Sequence, residues 1–232
     1  MEPTPHVAAL IERGKGLPEQ GTKEWLQRRS TMLTASDVAT ALNLNPNKTR
    51  LALLYDKCGV GTPFEGNAIT EFGHKYEPIA RDKYCLLENK TVFEFGCLTH
   101  PEYPFLGGSP DGITADGVLL EIKCPPKRDI IPGVVPAYYL PQVLLGMEIY
   151  DLDVCHFVQY KPDVSGFGRE IYDLTVVPRD KAWFASVLPD LKTFINDWAD
   201  LKAKVDDGWR PPPKRVVKRK EKDVPACRIN VN

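Results

Sequence analysis

Nowhere in this sequence do eighteen apolar residues follow one another, so no membrane-spanning helix is expected. The start, with Pro3, Pro5 and His6, lacks the basic-then-apolar pattern of a secretory signal, which points to an intracellular protein of the cytoplasm or nucleus. The six cysteines (Cys58, Cys85, Cys97, Cys124, Cys155 and Cys227) form no Cys-x-x-Cys pair. Zinc and iron–sulfur ligands usually sit close together in sequence, so no iron–sulfur cluster is expected. With 43% apolar residues, a 232-residue chain buries a core without disulfide staples, and its cysteines read as free thiols in a reducing compartment. Internal repeats are absent as well.

Charge of one sign is also scarce: the formal balance is −1. That figure conceals an asymmetry. Positions 209–232 carry eight basic and two acidic residues, a net of +6, so the remainder carries −7. An acidic body does not suit a protein that simply coats phosphates, because phosphate binding needs cations. It does suit an enzyme that gathers carboxylates around metal ions. The basic end fits a solvated tail, a nonspecific DNA contact or a nuclear address.

Periodicity and punctuation predict a flexible segment over 1–20, one folded domain over 21–208 and a basic, disordered tail over 209–232. Helices are expected over Thr22–Arg29, with Trp25 and Leu26 buried, and from Thr34-Ala-Ser-Asp, whose short polar side chains suit a helix opening. A third spans Thr49–Cys58, ended by Gly59. Asn67–Leu87 spaces Ile69, Phe72, Tyr76, Ile79, Ala80 and Tyr84 as one buried stripe, with Pro78 as a kink or break. Short strands follow at Thr91–Phe95, Gly112–Thr114 and Val118–Lys123. A helix over Pro136–Tyr150, strands over Val154–Tyr160 and Glu170–Val176, and a helix over Arg179–Val205 complete the order. This is a mixed α/β class, a central sheet flanked by helices.

The chemistry concentrates in Ser109-Pro-Asp111-Gly-Ile and Val118-Leu-Leu-Glu121-Ile-Lys123, joined by the turn pair Asp116-Gly117. A hairpin here brings Asp111 and Glu121 to the same end. Alternation puts Glu121 and Lys123 on one face and Ile122 on the other. Taken singly, a turn aspartate and a Glu-x-Lys pair are ordinary surface features. Val118, Leu119, Leu120 and Ile122, however, mark a strand inside a sheet, where charges need a reason. Two converging carboxylates repel, a divalent cation relieves them, and oxygen ligands favour Mg²⁺ or Mn²⁺. Acid, acid and lysine around a metal can cut a phosphodiester.

Asp followed ten residues later by Glu-x-Lys resembles the PD-(D/E)XK nuclease superfamily. Six segments in order resemble its phage lambda exonuclease branch, the YqaJ-like viral recombinases: Trp25-Leu-Gln-Arg-Arg29, Thr34-Ala-Ser36-Asp, Gly73-His-Lys-Tyr-Glu77-Pro-Ile-Ala-Arg81, Ser109-Pro-Asp111-Gly, Glu121-Ile-Lys123-Cys-Pro and Tyr139-Leu-Pro-Gln142. The resemblance implies a restriction-endonuclease-like core and two Mg²⁺ ions, replaceable by Mn²⁺, on Asp111, Glu121, Glu77 and the Ile122 carbonyl. Lys123 would act on the attacking water. It also implies DNA contacts from Arg29, Ser36, Ser109, Tyr139 and Gln142, with Arg128 a shifted match to a basic residue after the strand. The implied activity is 5′→3′ digestion of double-stranded DNA with 5′-phosphorylated ends in viral recombination or replication, inside the host cell. A homotrimer and a single-strand annealing recombinase partner are implied too. An endonuclease on the same fold, a non-catalytic DNA-binding scaffold and a nuclease with a cysteine-held cluster are the rival readings.

Overall fold

The computed structural model describes residues 1–62, 66–163 and 168–212. The expected basic tail therefore lies, from residue 213 onward, outside the described residues. The helices are α1 (Pro5–Gly14), α2 (Lys23–Ser30), α3 (Ala35–Ala41), α4 (Arg50–Lys57), α5 (Ala68–Leu87), α6 (Leu140–Tyr150) and α7 (Lys181–Asp206). The strands are β1 (Leu33–Thr34), β2 (Val92–Phe93), β3 (Leu98–Thr99), β4 (Leu106–Gly108), β5 (Gly112–Thr114), β6 (Leu119–Lys123), β7 (Val154–Lys161) and β8 (Ile171–Pro178). None of the described helices is long and apolar enough to cross a membrane.

Five strands form the central mixed sheet in the order β2-β5-β6-β7-β8. Only β6 and β7 run parallel within it, and α6 makes the crossover between them. A smaller sheet, β1-β4-β3, lies apart. Alternation along β6 divides the core. Leu119 belongs to the larger apolar cluster with α3, α6 and α7, while Leu120 and Ile122 pack beneath α5 with Ala80, Tyr84 and Val158. Gly146 lets α6 lie close on β6, since a Cβ there would stand 3.0 Å from Leu119 Cδ2. The β5–β6 connection is a three-residue loop with Gly117 at φ +89°, a conformation a side chain would resist.

The helical expectations hold in outline, with corrections. The N-terminal segment is not free: Thr4 caps α1, Pro5 supplies its preset first turn, and Val7 and Leu10 are buried in the core. Thr4 N–H also donates to Ala115 O, tying α1 to the β5–β6 loop. Leu26, Ile69 and Ile79 are exposed rather than buried, so the apolar stripes of α2 and α5 are narrower than their spacing suggests. Pro78 does not break α5. Thr34 caps α3 without accepting an amide; its hydroxyl donates to Asp37 instead. The α6 helix begins at Leu140, and 137–139 form a turn. β1, β3 and β4 were not expected; at two or three residues each they are too short to show a period.

Candidate active site

The hairpin register pairs Gly112 with Leu120 and Ile113 with Leu119, so Asp111 stands across from Glu121 at the end of the ladder. Asp111 Oδ2 accepts the Ile122 N–H at 2.6 Å, which fixes its carboxylate between Glu121 and Lys123. Glu121 is buried, and its Oε1 receives both the Lys123 ammonium at 2.5 Å and Gln142 Nε2 of α6 at 2.6 Å. Glu77, on α5, reaches the same place, with Arg81 one turn on at 3.4 Å. Arg81 also pairs with Glu94.

These groups line a cavity of about 190 Å³ together with Trp25, Arg29, Ser36 and Ser109. Arg29 donates to Ser36 Oγ at 2.8 Å, and its guanidinium lies 4.3 Å from the centre of the Trp25 ring. Trp25 Nε1 in turn donates to Ser109 Oγ at 2.9 Å. A wider groove of about 620 Å³ adjoins, sharing Glu77, Lys123 and His74 with the first. Tyr139 and Arg128 line this second space, not the first. Arg128 is engaged there, donating to Gln159 Oε1 at 2.8 Å. Trp25 and His74 were not singled out as site residues by the sequence. The Trp25-x-x-x-Arg29 spacing, one helical turn, carried the signal for the first.

Electrostatics follow from crowding. Burial and the Asp111 charge push Glu77 up to about 7. Burial likewise lifts Glu121 to about 7, Lys123 pulling it down and Asp111 adding to the rise. Burial raises Asp111 as well, against the pull of Lys123 and the Ile122 amide. Lys123 is drawn down by burial, but Glu121 and Asp111 outweigh this and hold its ammonium above the ordinary range.

As positioned, no three His, Cys, Asp or Glu among the described residues form a group ready to hold a metal ion. In the expected set of Asp111, Glu121, Glu77 and Ile122, each carboxylate is engaged by a protein donor. The donor chemistry nonetheless fits a hard divalent cation: oxygen-only ligands, two of them raised to about 7 chiefly by burial and further by the neighbouring Asp111 charge.

A pH dependence follows. The raised Glu77 and Glu121 make the folded chain bind protons more tightly than the unfolded one between about 4.5 and about 7. The stability they contribute is complete at low pH and is lost as pH rises through about 7. Burial lowers His100 and His156, which act in the opposite sense. The comparison is therefore with Glu121→Gln: in chelator, the native chain should lose roughly 5 °C more of its thermal midpoint than the variant between pH 5 and 8. Parallel pH profiles would show that Glu121 titrates normally.

The sheet order, the hairpin and the flanking helices define an α/β domain of the PD-(D/E)XK type. Its fold is similar to that of an alkaline exonuclease from Laribacter hongkongensis, with a TM-score of 0.67 and 26% identity over 80% of this chain and 97% of that one. A phage-related exonuclease from Haemophilus somnus shares the fold at a TM-score of 0.62 and 14% identity, over 75% and 96% of the two chains. Residues 24–153 match the YqaJ-like viral recombinase domain, and the chain belongs to that family. An uncharacterized protein of Acanthamoeba polyphaga mimivirus is 37% identical over 162 residues, 62% of this chain and 30% of that protein. An African swine fever virus protein is 28% identical over 172 residues, 62% and 50% of the two. The chain thus spans half the length, or less, of these curated relatives.

Proposed function

We propose that this chain is a divalent-metal-dependent exonuclease that digests duplex DNA from 5′-phosphorylated ends. The observation that carries the reading is one cavity lined by Asp111, Glu121, Glu77, Lys123 and Gln142 together with the Arg29–Ser36 pair. The first group suits phosphodiester hydrolysis and the second suits a terminal phosphate. Mg²⁺, with Mn²⁺ as substitute, would be held by Asp111, Glu121, Glu77 and the Ile122 carbonyl and would neutralise charge on the phosphate while acidifying water.

The remaining work belongs to the chain. Lys123, kept as an ammonium by its acid neighbours, orients the water and offsets phosphate charge. Gln142 holds the Glu121 carboxylate in place. Trp25 stacks on Arg29 and keeps its fork aimed beside Ser36, so a 5′ phosphate meets a rigid pair of donors. Ser109, bonded to the Trp25 indole, completes that wall. Tyr139 and Arg128 border the adjoining groove, which suits the departing strand by stacking and charge. By the same family resemblance the protein acts in viral-type recombination as a homotrimer, passing 3′ single strands to an annealing recombinase.

The test is end-labelled linear duplex with Mg²⁺. The 5′ label should be released first, and Arg29→Ala should slow digestion of 5′-phosphorylated ends by about a hundredfold while affecting nicking of circular DNA far less. Equal losses on both substrates would favour an endonuclease on this fold. Binding without any shortening would favour a scaffold.

A further inference from the structure

Lys57 lies outside the catalytic cavity, at the end of α4, yet its ammonium touches the framework of the phosphate-binding pair. Its side chain is only 8% exposed. Nζ donates to Met32 O at 2.7 Å and to Arg29 O at 3.2 Å, and pairs with Asp37 Oδ2 at 2.9 Å. An ammonium has three donors, and here all three are used. One goes to the Arg29 carbonyl in the last turn of α2 and one to the Met32 carbonyl just beyond it, at the end where the helix dipole favours a cation. The third goes to the first turn of α3. Arg29 lies in the last turn of α2 and Ser36 in the first turn of α3, so the groups that Lys57 fastens are the Arg29 backbone and the neighbour of Ser36. Asp37 is held in turn by the Thr34 hydroxyl at 2.7 Å. Despite its burial, Lys57 and Thr34 keep Asp37 below the usual carboxylate range, so its carboxylate stays charged.

We infer that Lys57 is a positioning residue that fixes the 5′-phosphate pocket by fastening the end of α2 to the start of α3. The inference rests on the reading of Arg29 and Ser36 given above. A guanidinium and a hydroxyl on two separate helices act as one phosphate site only if the helix ends keep their spacing. Trp25 aims the Arg29 guanidinium, but it does not set the spacing of the two helix ends, and the Arg29–Ser36 bond is a single contact between them. Lys57 supplies that constraint from behind.

The experiment measures digestion of two otherwise identical linear duplexes, one with 5′-phosphate and one with 5′-hydroxyl ends, by full-length native, Arg29→Ala, Lys57→Met and double-variant proteins. Temperatures stay well below each thermal midpoint. Lys57→Met should lower the phosphate-over-hydroxyl preference by about tenfold while the hydroxyl-end rate stays within about twofold. On the Arg29→Ala background it should lower the preference no further, because it acts through Arg29. If Arg29→Ala loses the preference and Lys57→Met keeps it, or if Lys57→Met slows both substrates equally, Lys57 is only a stabilising contact and the inference falls. If Arg29→Ala keeps the preference, the phosphate-pocket reading fails first and this inference with it. Should Lys57→Met not fold, the isosteric Asp37→Asn decides: a reduced preference supports the inference and an unchanged one overturns it.

Discussion

Lys123→Ala is expected to slow hydrolysis of linear duplex by about a thousandfold while leaving duplex affinity within about twofold. The side chain stands at the end of β6, on the face that carries Glu121, with its ammonium 5.1 Å from the centre of the Tyr139 ring. Its acid neighbours hold it in the charged form at neutral pH, so it cannot accept a proton from water. It can donate to the water and lower the cost of charge building on the phosphate. Groups placed in this way contribute about 10²–10⁴ to rate. Affinity for duplex is spread over many phosphate contacts, so one ammonium changes it little. Single-turnover rates in Mg²⁺, set beside filter binding in chelator, measure the two quantities separately. Arginine should not rescue the variant, because a planar fork cannot occupy the place of a compact ammonium. Retained cutting by Lys123→Ala would mean that another cation does this work.

The parts of the site legible in the sequence were those fixed by local rules. Asp116-Gly117 announced the hairpin, because a Gly at positive φ and an apolar strand on its far side admit few other folds. Period-two alternation then put Glu121 and Lys123 together and sent Ile122 to the opposite layer, and the structure has that arrangement. Illegible were the contacts made by distant segments. Trp25 reaches Ser109 across 84 residues, and nothing near either one declares it. Nothing in the sequence around Lys57 marks it, although its side chain is buried against α2, α3 and Trp198 of α7. The N-terminal segment misled for a different reason. Pro3 and Pro5 look like breakers, but Thr4-Pro5 is also a cap followed by a first turn. Burial of Val7 and Leu10 against the rest of the chain decided between those meanings. β1, β3 and β4 borrow their stability from neighbours rather than from any pattern of their own.

Asp111→Asn is expected to remove hydrolysis by about a thousandfold and yet to raise the thermal midpoint in chelator. The asparagine keeps the shape of the side chain, and its amide oxygen can still accept the Ile122 N–H, so the end of the hairpin should stay in place. What disappears is a charge that burial already disfavours and that raises both Glu77 and Glu121. Relief of that repulsion stabilises the metal-free fold. Lys123 loses one acid neighbour, an opposing cost, but Glu121 stays at 2.5 Å and compensates most of it. Addition of Mg²⁺ should then reverse the order of stability. Binding at a hundredfold excess over the dissociation constant stabilises the native chain by about 2.7 kcal/mol, whereas the variant has one carboxylate fewer with which to bind. The loss of rate has the same origin, since roughly 4 kcal/mol of charge stabilisation at the phosphate corresponds to three decades. Thermal melts of the two proteins, with chelator and with Mg²⁺, therefore test a single claim: the charge that destabilises the empty fold is the one that makes it reactive. A variant less stable than the native chain in both conditions would show that Asp111 holds the hairpin and not a cation.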